Sequence, residues 1–317
     1  MMRYARQMVL PELGEAGQQR LTDAHVLVVG AGGLGCPALQ YLTGAGVGRI
    51  TLIDGDHVEE TNLHRQPIFA MRQIGQPKAC AAAAQMAALN PDVTVTPLTE
   101  WLTPANAPAL VAGADLVLDC ADTFAVSLTL SDACMAAGRP LIAGSALARS
   151  GYALGCCGGA PSLRAVFPDL PLRGATCATA GVMGPVVGMI GALQAQMALA
   201  VLLGHDPSPL GRLVSLDAAS WRMGGFRFDR APEPEAPLPF IAESQIAPGD
   251  LLVDLRAESA PFRADARHLP PERIAHLDPP EGARVVLACR TGLRAHNAGR
   301  DLQSIWPGRI ALLALND

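Results

Sequence analysis

The apolar, β-branched run His25-Val26-Leu27-Val28-Val29 breaks into Gly30-Ala31-Gly32-Gly33-Leu34-Gly35 and resumes as Cys36-Pro37-Ala38-Leu39-Gln40-Tyr41-Leu42. That order predicts a strand, a tight turn and the start of a helix. Glycines there let the backbone approach a phosphate, and a helix N-terminus offers free N–H groups and a favourable dipole. A second strand is expected over 49–53, and Asp54 follows it, 19 residues after Gly35, where a carboxylate can grip a ribose hydroxyl. The pattern calls for a nucleotide without saying which. A nicotinamide or flavin dinucleotide satisfies it equally well.

The elements that follow alternate. A polar helical pair over 3–24 precedes the glycine turn, a helix is expected over 77–89 with Pro77 in its first turn, and strands are expected over 93–97 and 115–120. Such alternation predicts an α/β fold with a doubly wound, mostly parallel, Rossmann-like sheet. After Pro140 the segments 141–144 and 151–157 read as strands joined by turns, and antiparallel strands over 213–217 and 221–228 should close the sheet. Four prolines between Asp229 and Phe240 mark an extended, semi-rigid linker. The expected division is therefore a first domain over 1–228, a linker over 229–242 and a short second domain over 243–317.

Several classes are disfavoured. A net charge of -5 argues against a nucleic-acid partner. The stretch 182–203 is apolar enough to raise the question of a membrane span, but Pro185, Gln194, Gln196 and glycines at 181, 184, 188 and 191 favour a packed core or dimer helix. The polar opening Met1-Met2-Arg3-Tyr4 does not read as a signal peptide, and a cytoplasmic location is the expectation. Among eight cysteines no pair has C-x-x-C spacing. Adjacent Cys156 and Cys157 should lie on opposite faces of a strand, and His268, His276 and His296 should be surface residues without metal-ligand spacing.

The loop after Asp54 narrows the chemistry. It contains Asp56, Asn62, Arg65 and Gln66, Lys78 opens the next helix, and Asp122 closes the strand at 115–120. Cations and a carboxylate around a phosphate-binding turn suit a triphosphate with Mg²⁺ better than hydride transfer. With these residues on the page, 3–228 resembles the ubiquitin-activating-enzyme-like adenylyltransferases, the MoeB/ThiF/HesA group that activates sulfur-carrier proteins. The resemblance rests on Arg3-Tyr4-x-Arg6-Gln7, Gly30-x-Gly32-Gly33-Leu34-Gly35, Asp54-x-Asp56, Asn62-Leu63-x-Arg65-Gln66, Gly75-Gln76-Pro77-Lys78, Asp119-Cys120-x-Asp122 and Thr176-Cys177-x-x-x-Gly181-Val182-Met183-x-Pro185.

The resemblance implies ATP as the nucleotide. Gly30, Gly32, Gly33 and Gly35 would cradle phosphates and Asp54 the ribose, with Asp56 beside it. Thr61, Asn62, Leu63, His64, Arg65 and Gln66 would line the nucleotide path, with Lys78 on the same phosphates. Asp122 would hold Mg²⁺, next to Thr123, where relatives usually have Asn. Arg6 would reach across a homodimer into the other subunit's site, and Cys177 would form a carrier conjugate or be dispensable. Relatives commonly hold a structural zinc on two C-x-x-C pairs. Here Ser162-Leu163-Arg164-Ala165 and Arg227-Phe228-Asp229-Arg230 stand in their place, so no zinc is expected.

Past the linker, the apolar run 251–255 and then Val285-Val286-Leu287-Ala288-Cys289-Arg290-Thr291-Gly292-Leu293-Arg294 resemble a small α/β rhodanese-like domain. Its Cys289, ahead of a helix N-terminus and between two arginines, suits a thiolate or persulfide. The combined expectation is adenylylation of a small ubiquitin-like sulfur carrier ending in Gly-Gly, then sulfur transfer from a persulfide donor, in thiazole or molybdopterin synthesis. An NAD(P)-dependent oxidoreductase and a catalytically silent carrier-binding scaffold are the competing readings.

Overall fold

In a computed structural model of the chain, residues 2–170, 180–257 and 261–315 are described. The N-terminal helices α1 (Ala5–Met8) and α2 (Gly14–Asp23) lead into β1 (His25–Val29), whose last four residues are buried. The glycine turn follows and α3 (Gly35–Ala45) starts at its last glycine. Then come β2 (Arg49–Ile53), α4 (Lys78–Leu89), β3 (Thr94–Leu98), α5 (Ala107–Ala112), β4 (Leu116–Asp119) and α6 (Phe124–Ala137). Pro77 stands just ahead of α4, where its missing N–H is no loss.

After α6 the chain runs through β5 (Pro140–Leu147), β6 (Ser150–Cys157), α7 (Leu163–Val166), α8 (Gly184–Leu203), β7 (Arg212–Asp217) and β8 (Arg222–Arg227). One sheet holds all eight strands in the order β3-β2-β1-β4-β5-β6-β7-β8. Pairing is parallel from β3 to β5 and antiparallel from β5 to β8. β4 is buried at every residue, as expected for a central parallel strand covered on both faces. The order reverses between β1 and β4, and it is outside the carboxyl ends at such a switch point that open α/β sheets bind ligands.

α8 is the one helix among the described residues long and apolar enough to cross a membrane, yet half of its apolar window is buried against the rest of the chain. Its small residues allow this. A side chain at Gly191 would meet the Leu34 carbonyl at the foot of α3, and one at Gly184 the His64 carbonyl. The helix thus presses on both the glycine turn and the polar loop after β2.

The remaining elements, β9 (Leu251–Asp254), β10 (Arg267–His268), β11 (Arg284–Cys289), α9 (Leu293–Ile305) and β12 (Arg309–Ala314), form a small all-parallel sheet in the order β10-β9-β11-β12 with α9 packed on it. One apolar cluster runs from Val29 and Val117 of the first sheet and Leu128 of α6 to Val253 and Leu287 of the second sheet and Leu302 of α9. The Pro-rich segment is held along the way. Glu233 accepts from the Ser162 amide at 2.7 Å, and Arg164 donates to the Leu238 carbonyl at 3.0 Å and to Asp132. Leu238 and Phe240 are buried, and Pro239 and Ile241 exchange backbone hydrogen bonds with Leu312 of β12.

Two local expectations need correction. Cys156 and Cys157 do not point to opposite faces. Cys157 has φ +59°, which breaks the strand alternation and brings the two sulfurs to 3.9 Å in one core. His296 is not a surface residue: its place on α9 buries it to 5% exposure, and burial pulls its imidazole below the ordinary histidine range. His268 and His276 are exposed.

Candidate functional site

A cavity of about 730 Å³ opens at the carboxyl ends of β1, β2, β3 and β4. The turn after β1 is shaped for it. Gly30 has φ +97°, and a side chain at Gly35 would collide with the Gly30 carbonyl. Gly30, Gly32 and Gly33 line the cavity, while Gly35 lies behind them as the first residue of α3.

Asp54 sits at the end of β2 and binds the turn itself. Its Oδ2 accepts the Ala31 amide at 2.7 Å and its Oδ1 the Asp56 amide at 2.8 Å. Burial raises its carboxyl above the usual aspartate value, and these two amides offset part of that rise. Lys78, only 6% exposed, donates from Nζ to Asp56 Oδ2 at 2.8 Å, and its amide donates to the Asp56 carbonyl. A lysine is almost never buried unless paired, so Asp56 fixes this ammonium in the cavity wall.

The loop after Asp54 divides its labour. Asn62, Arg65 and Gln66 line the cavity. Asn62 also accepts the Glu59 amide through Oδ1, closing a short turn. Thr61, Leu63 and His64 are not in the cavity wall; the Thr61 carbonyl and the His64 ring brace the Arg65 guanidinium, each at 3.0 Å. From the far side, Asp122 and Thr123 enter ahead of α6. Asp119 ends β4 beneath them and Cys120 follows it. Gln194 of α8 holds the Asp119 carbonyl at 2.7 Å, and burial pushes the Cys120 thiol well above its ordinary value, so it remains protonated.

Among the described residues, three buried polar atoms in this wall have no hydrogen-bond partner: Gln66 Oε1, Asp119 Oδ2 and Thr123 Oγ1. Orphans of this kind are uncommon in folded proteins, and here they share a cavity with the cations Arg65 and Lys78. The donor set and volume fit a nucleotide bearing a polyphosphate, with carboxylates available for a divalent cation.

Sequence reasoning missed several wall residues: Trp101 after β3, Tyr152 on β6, and Arg290 and Thr291 from the second sheet. Strand-end position in a doubly wound sheet was the available signal for Trp101. No signal pointed to Arg290. Its neighbour Cys289 is 2% exposed and its Sγ accepts the Ala295 amide at 3.4 Å, so the sulfur does face the N-terminal turn of α9. Arg6 is exposed on α1, which packs at the far end of α3, where Gln7 bonds the Ala45 carbonyl. Eleven residues of helix, about 16 Å, lie between that end and the glycine turn. Cys177 lies outside the described residues.

A glycine turn, a strand-end aspartate and two cations at a switch point are the layout of a nucleotide-binding α/β fold. The sequence pattern of the ThiF family matches residues 4–238, and the chain belongs to that family. It is 48% identical over 219 residues to the adenylyltransferase and sulfurtransferase MOCS3 of Bos taurus, a match covering 68% of this chain and 48% of that protein. It is 47% identical over 205 residues to the adenylyltransferase and sulfurtransferase UBA4 of Yarrowia lipolytica, covering 64% and 52%. The chain thus spans about half the length of these relatives. The fold is also that of MccB from E. coli, with a TM-score of 0.65 at 21% identity over 74% of this chain and 71% of that one. MccB with ATP gives 0.61 at 21% identity over 73% and 72%.

Proposed function

We propose that the chain adenylylates the C-terminal glycine of a small ubiquitin-like sulfur-carrier protein with ATP, and that its second sheet acts as a rhodanese-like module passing sulfur to the activated carrier. The observation that carries the reading is the convergence of Arg65, Lys78 and Asp122 with the glycine turn on one cavity. Family membership and relatives named adenylyltransferase and sulfurtransferase support it.

The chemistry assigns each group a task. The carrier carboxylate, ionised at neutral pH, attacks the α-phosphorus; a carboxylate O–P bond forms, the bond to the bridging oxygen breaks, and pyrophosphate leaves. Attacker and phosphates are all anionic. Arg65 and Lys78 lower that repulsion and offset charge on the leaving group, and no general base is needed. Mg²⁺ held by Asp122 would add charge neutralisation on the phosphates. Gly32 and Gly33 leave backbone N–H groups open to phosphate oxygens, and Asp54 steadies the turn that presents them. In the sulfur step, the terminal sulfur of a Cys289 persulfide attacks the acyl carbon and AMP leaves. A second thiol then attacks the Cys289 sulfur of this acyl disulfide; a disulfide between that thiol and Cys289 forms as the bond to the outer sulfur breaks, and the thiocarboxylate leaves.

A homodimer, with Arg6 serving the neighbouring subunit's cavity, belongs to the same proposal, as does a cytoplasmic setting. Thiazole and molybdopterin pathways differ in the carrier. Carrier-dependent ATP–pyrophosphate exchange with candidates ending in Gly-Gly tests the reading directly. Asp122→Ala and Arg65→Ala should each lower exchange at least about a hundredfold, the scale of losing one charge stabiliser. Exchange near the wild-type rate in both variants would remove the basis for the mechanism.

A further inference from the structure

We infer that Trp101 is the wall on which the nucleobase stacks, making this chain's cavity a purine-preferring aromatic seat. The inference rests on the nucleotide reading of the cavity and adds to it the group that recognises the base.

Sheet order supplies the first argument. Moving outward from the switch point, β1 carries the glycine turn, β2 carries Asp54, and β3 is next. Phosphate, ribose and base are then laid across successive strand ends. Two strand spacings, about 10 Å, match the reach of a nucleoside monophosphate from phosphate to base. The Asp54 amide bonds the Leu98 carbonyl at 3.1 Å, so the ends of β2 and β3 are tied together at this place. Trp101 stands three residues beyond that carbonyl and lines the cavity with Asp54.

The seat itself is built. Directly after Asp54 comes Gly55, and a side-chain carbon there would lie 2.7 Å from two indole ring atoms of Trp101. The missing side chain lets the indole lie against the backbone. Asn106 fixes the loop that carries it, donating to the Trp101 carbonyl at 2.9 Å and accepting the Thr103 amide at 2.8 Å. In a chain with only three tryptophans, this one is left 52% exposed at the cavity. A large π-surface held in place on one side and open on the other gains most from a stacked aromatic ring. Purines offer the larger ring face.

Calorimetric titration of the full chain with ATP, CTP and inorganic tripolyphosphate tests this. Base stacking on an aromatic side chain contributes about 1–3 kcal/mol by alanine substitution, so Trp101→Ala should bind ATP about five- to hundredfold more weakly. Its preference for ATP over CTP should shrink, and tripolyphosphate affinity should stay at the wild-type value. Trp101→Phe should recover most of the ATP affinity, and Gly55→Ala, which displaces the ring, should lose it. In a Trp221→Phe/Trp306→Phe background, ATP but not tripolyphosphate should quench the remaining indole emission. ATP affinity within twofold of wild type in Trp101→Ala, or equal weakening toward ATP and tripolyphosphate, would overturn the inference while leaving the nucleotide reading intact. Wild-type protein that binds neither ATP nor tripolyphosphate would instead defeat the nucleotide reading itself.

Discussion

Replacing Asp119 by asparagine should stabilise the protein at neutral pH and change it little in acid. Asp119 ends β4 at 1% exposure, and burial lifts its carboxyl from 3.8 to about 6, with the Ser127 side chain and then the Ala121 amide offsetting only part of the rise. At about 1.4 kcal/mol per tenfold change in proton affinity, that rise corresponds to about 3 kcal/mol. The folded carboxyl holds its proton more tightly than the unfolded one. Its contribution to stability is therefore fully present below 3.8, falls as pH rises, and is lost above about 6. An asparagine amide imitates the protonated acid in shape and does not titrate. The gain of Asp119→Asn over wild type should grow from a few tenths of a kcal/mol near pH 4 to about 3 kcal/mol near pH 8. Urea unfolding in steps of pH, followed by far-ultraviolet circular dichroism, reads this difference. A gain that does not vary with pH, or a variant less stable at pH 8, would refute the reasoning. A carboxylate kept in a wall at the expense of stability is also the pattern expected of functional cavities.

Other expectations follow from the site. Mixing Arg6→Ala with Asp122→Ala protein should restore part of the exchange activity through heterodimers; no recovery despite demonstrated subunit exchange would count against a shared site. Purified protein should carry no stoichiometric zinc by metal analysis, because Ser162 is engaged with Glu233 and Ala165 offers no ligand; one tightly bound zinc per chain would contradict this. Cys289→Ser should leave pyrophosphate exchange intact but slow thiocarboxylate formation when thiosulfate or a persulfide supplies sulfur. Equal rates in the two proteins would make the second sheet a docking element rather than a sulfur carrier.

What was legible in the sequence was local. The glycine turn, the strand before it and the proline ahead of α4 are fixed by backbone constraints that a few residues reveal. The antiparallel closure was readable because turns, not helices, separate the segments after Pro140. Tertiary choices were not readable. Trp101 follows a strand without any motif, and only the neighbouring Gly55 backbone makes it a wall. Arg290 reaches the cavity because the second sheet packs against α6, where a side chain at Gly292 would touch Ala125. Cys157 defeats the period-two rule through one left-handed residue, and His296 was misread because a polar residue on a helix says nothing about which neighbour covers it. Lys78 was legible as a phosphate-side cation, but its partner Asp56, which holds it in the wall, was not.

The docked Pro-rich segment has a consequence for how such chains can be cut and recombined. Leu238 and Phe240 each remove a large side chain from water, worth about 2 kcal/mol apiece, and they do so between the sheets. A cut at residue 228 would leave the segment on β12 but part it from the apolar cluster it shares with the first sheet, leaving two sticky fragments in place of two domains. Grafting this C-terminal part onto another adenylyltransferase would therefore demand a matching host surface around Asp132, Ser162 and Arg164. Composition suggests an extended spacer here, but the packing makes it a seam, and the two halves are constrained to change in step.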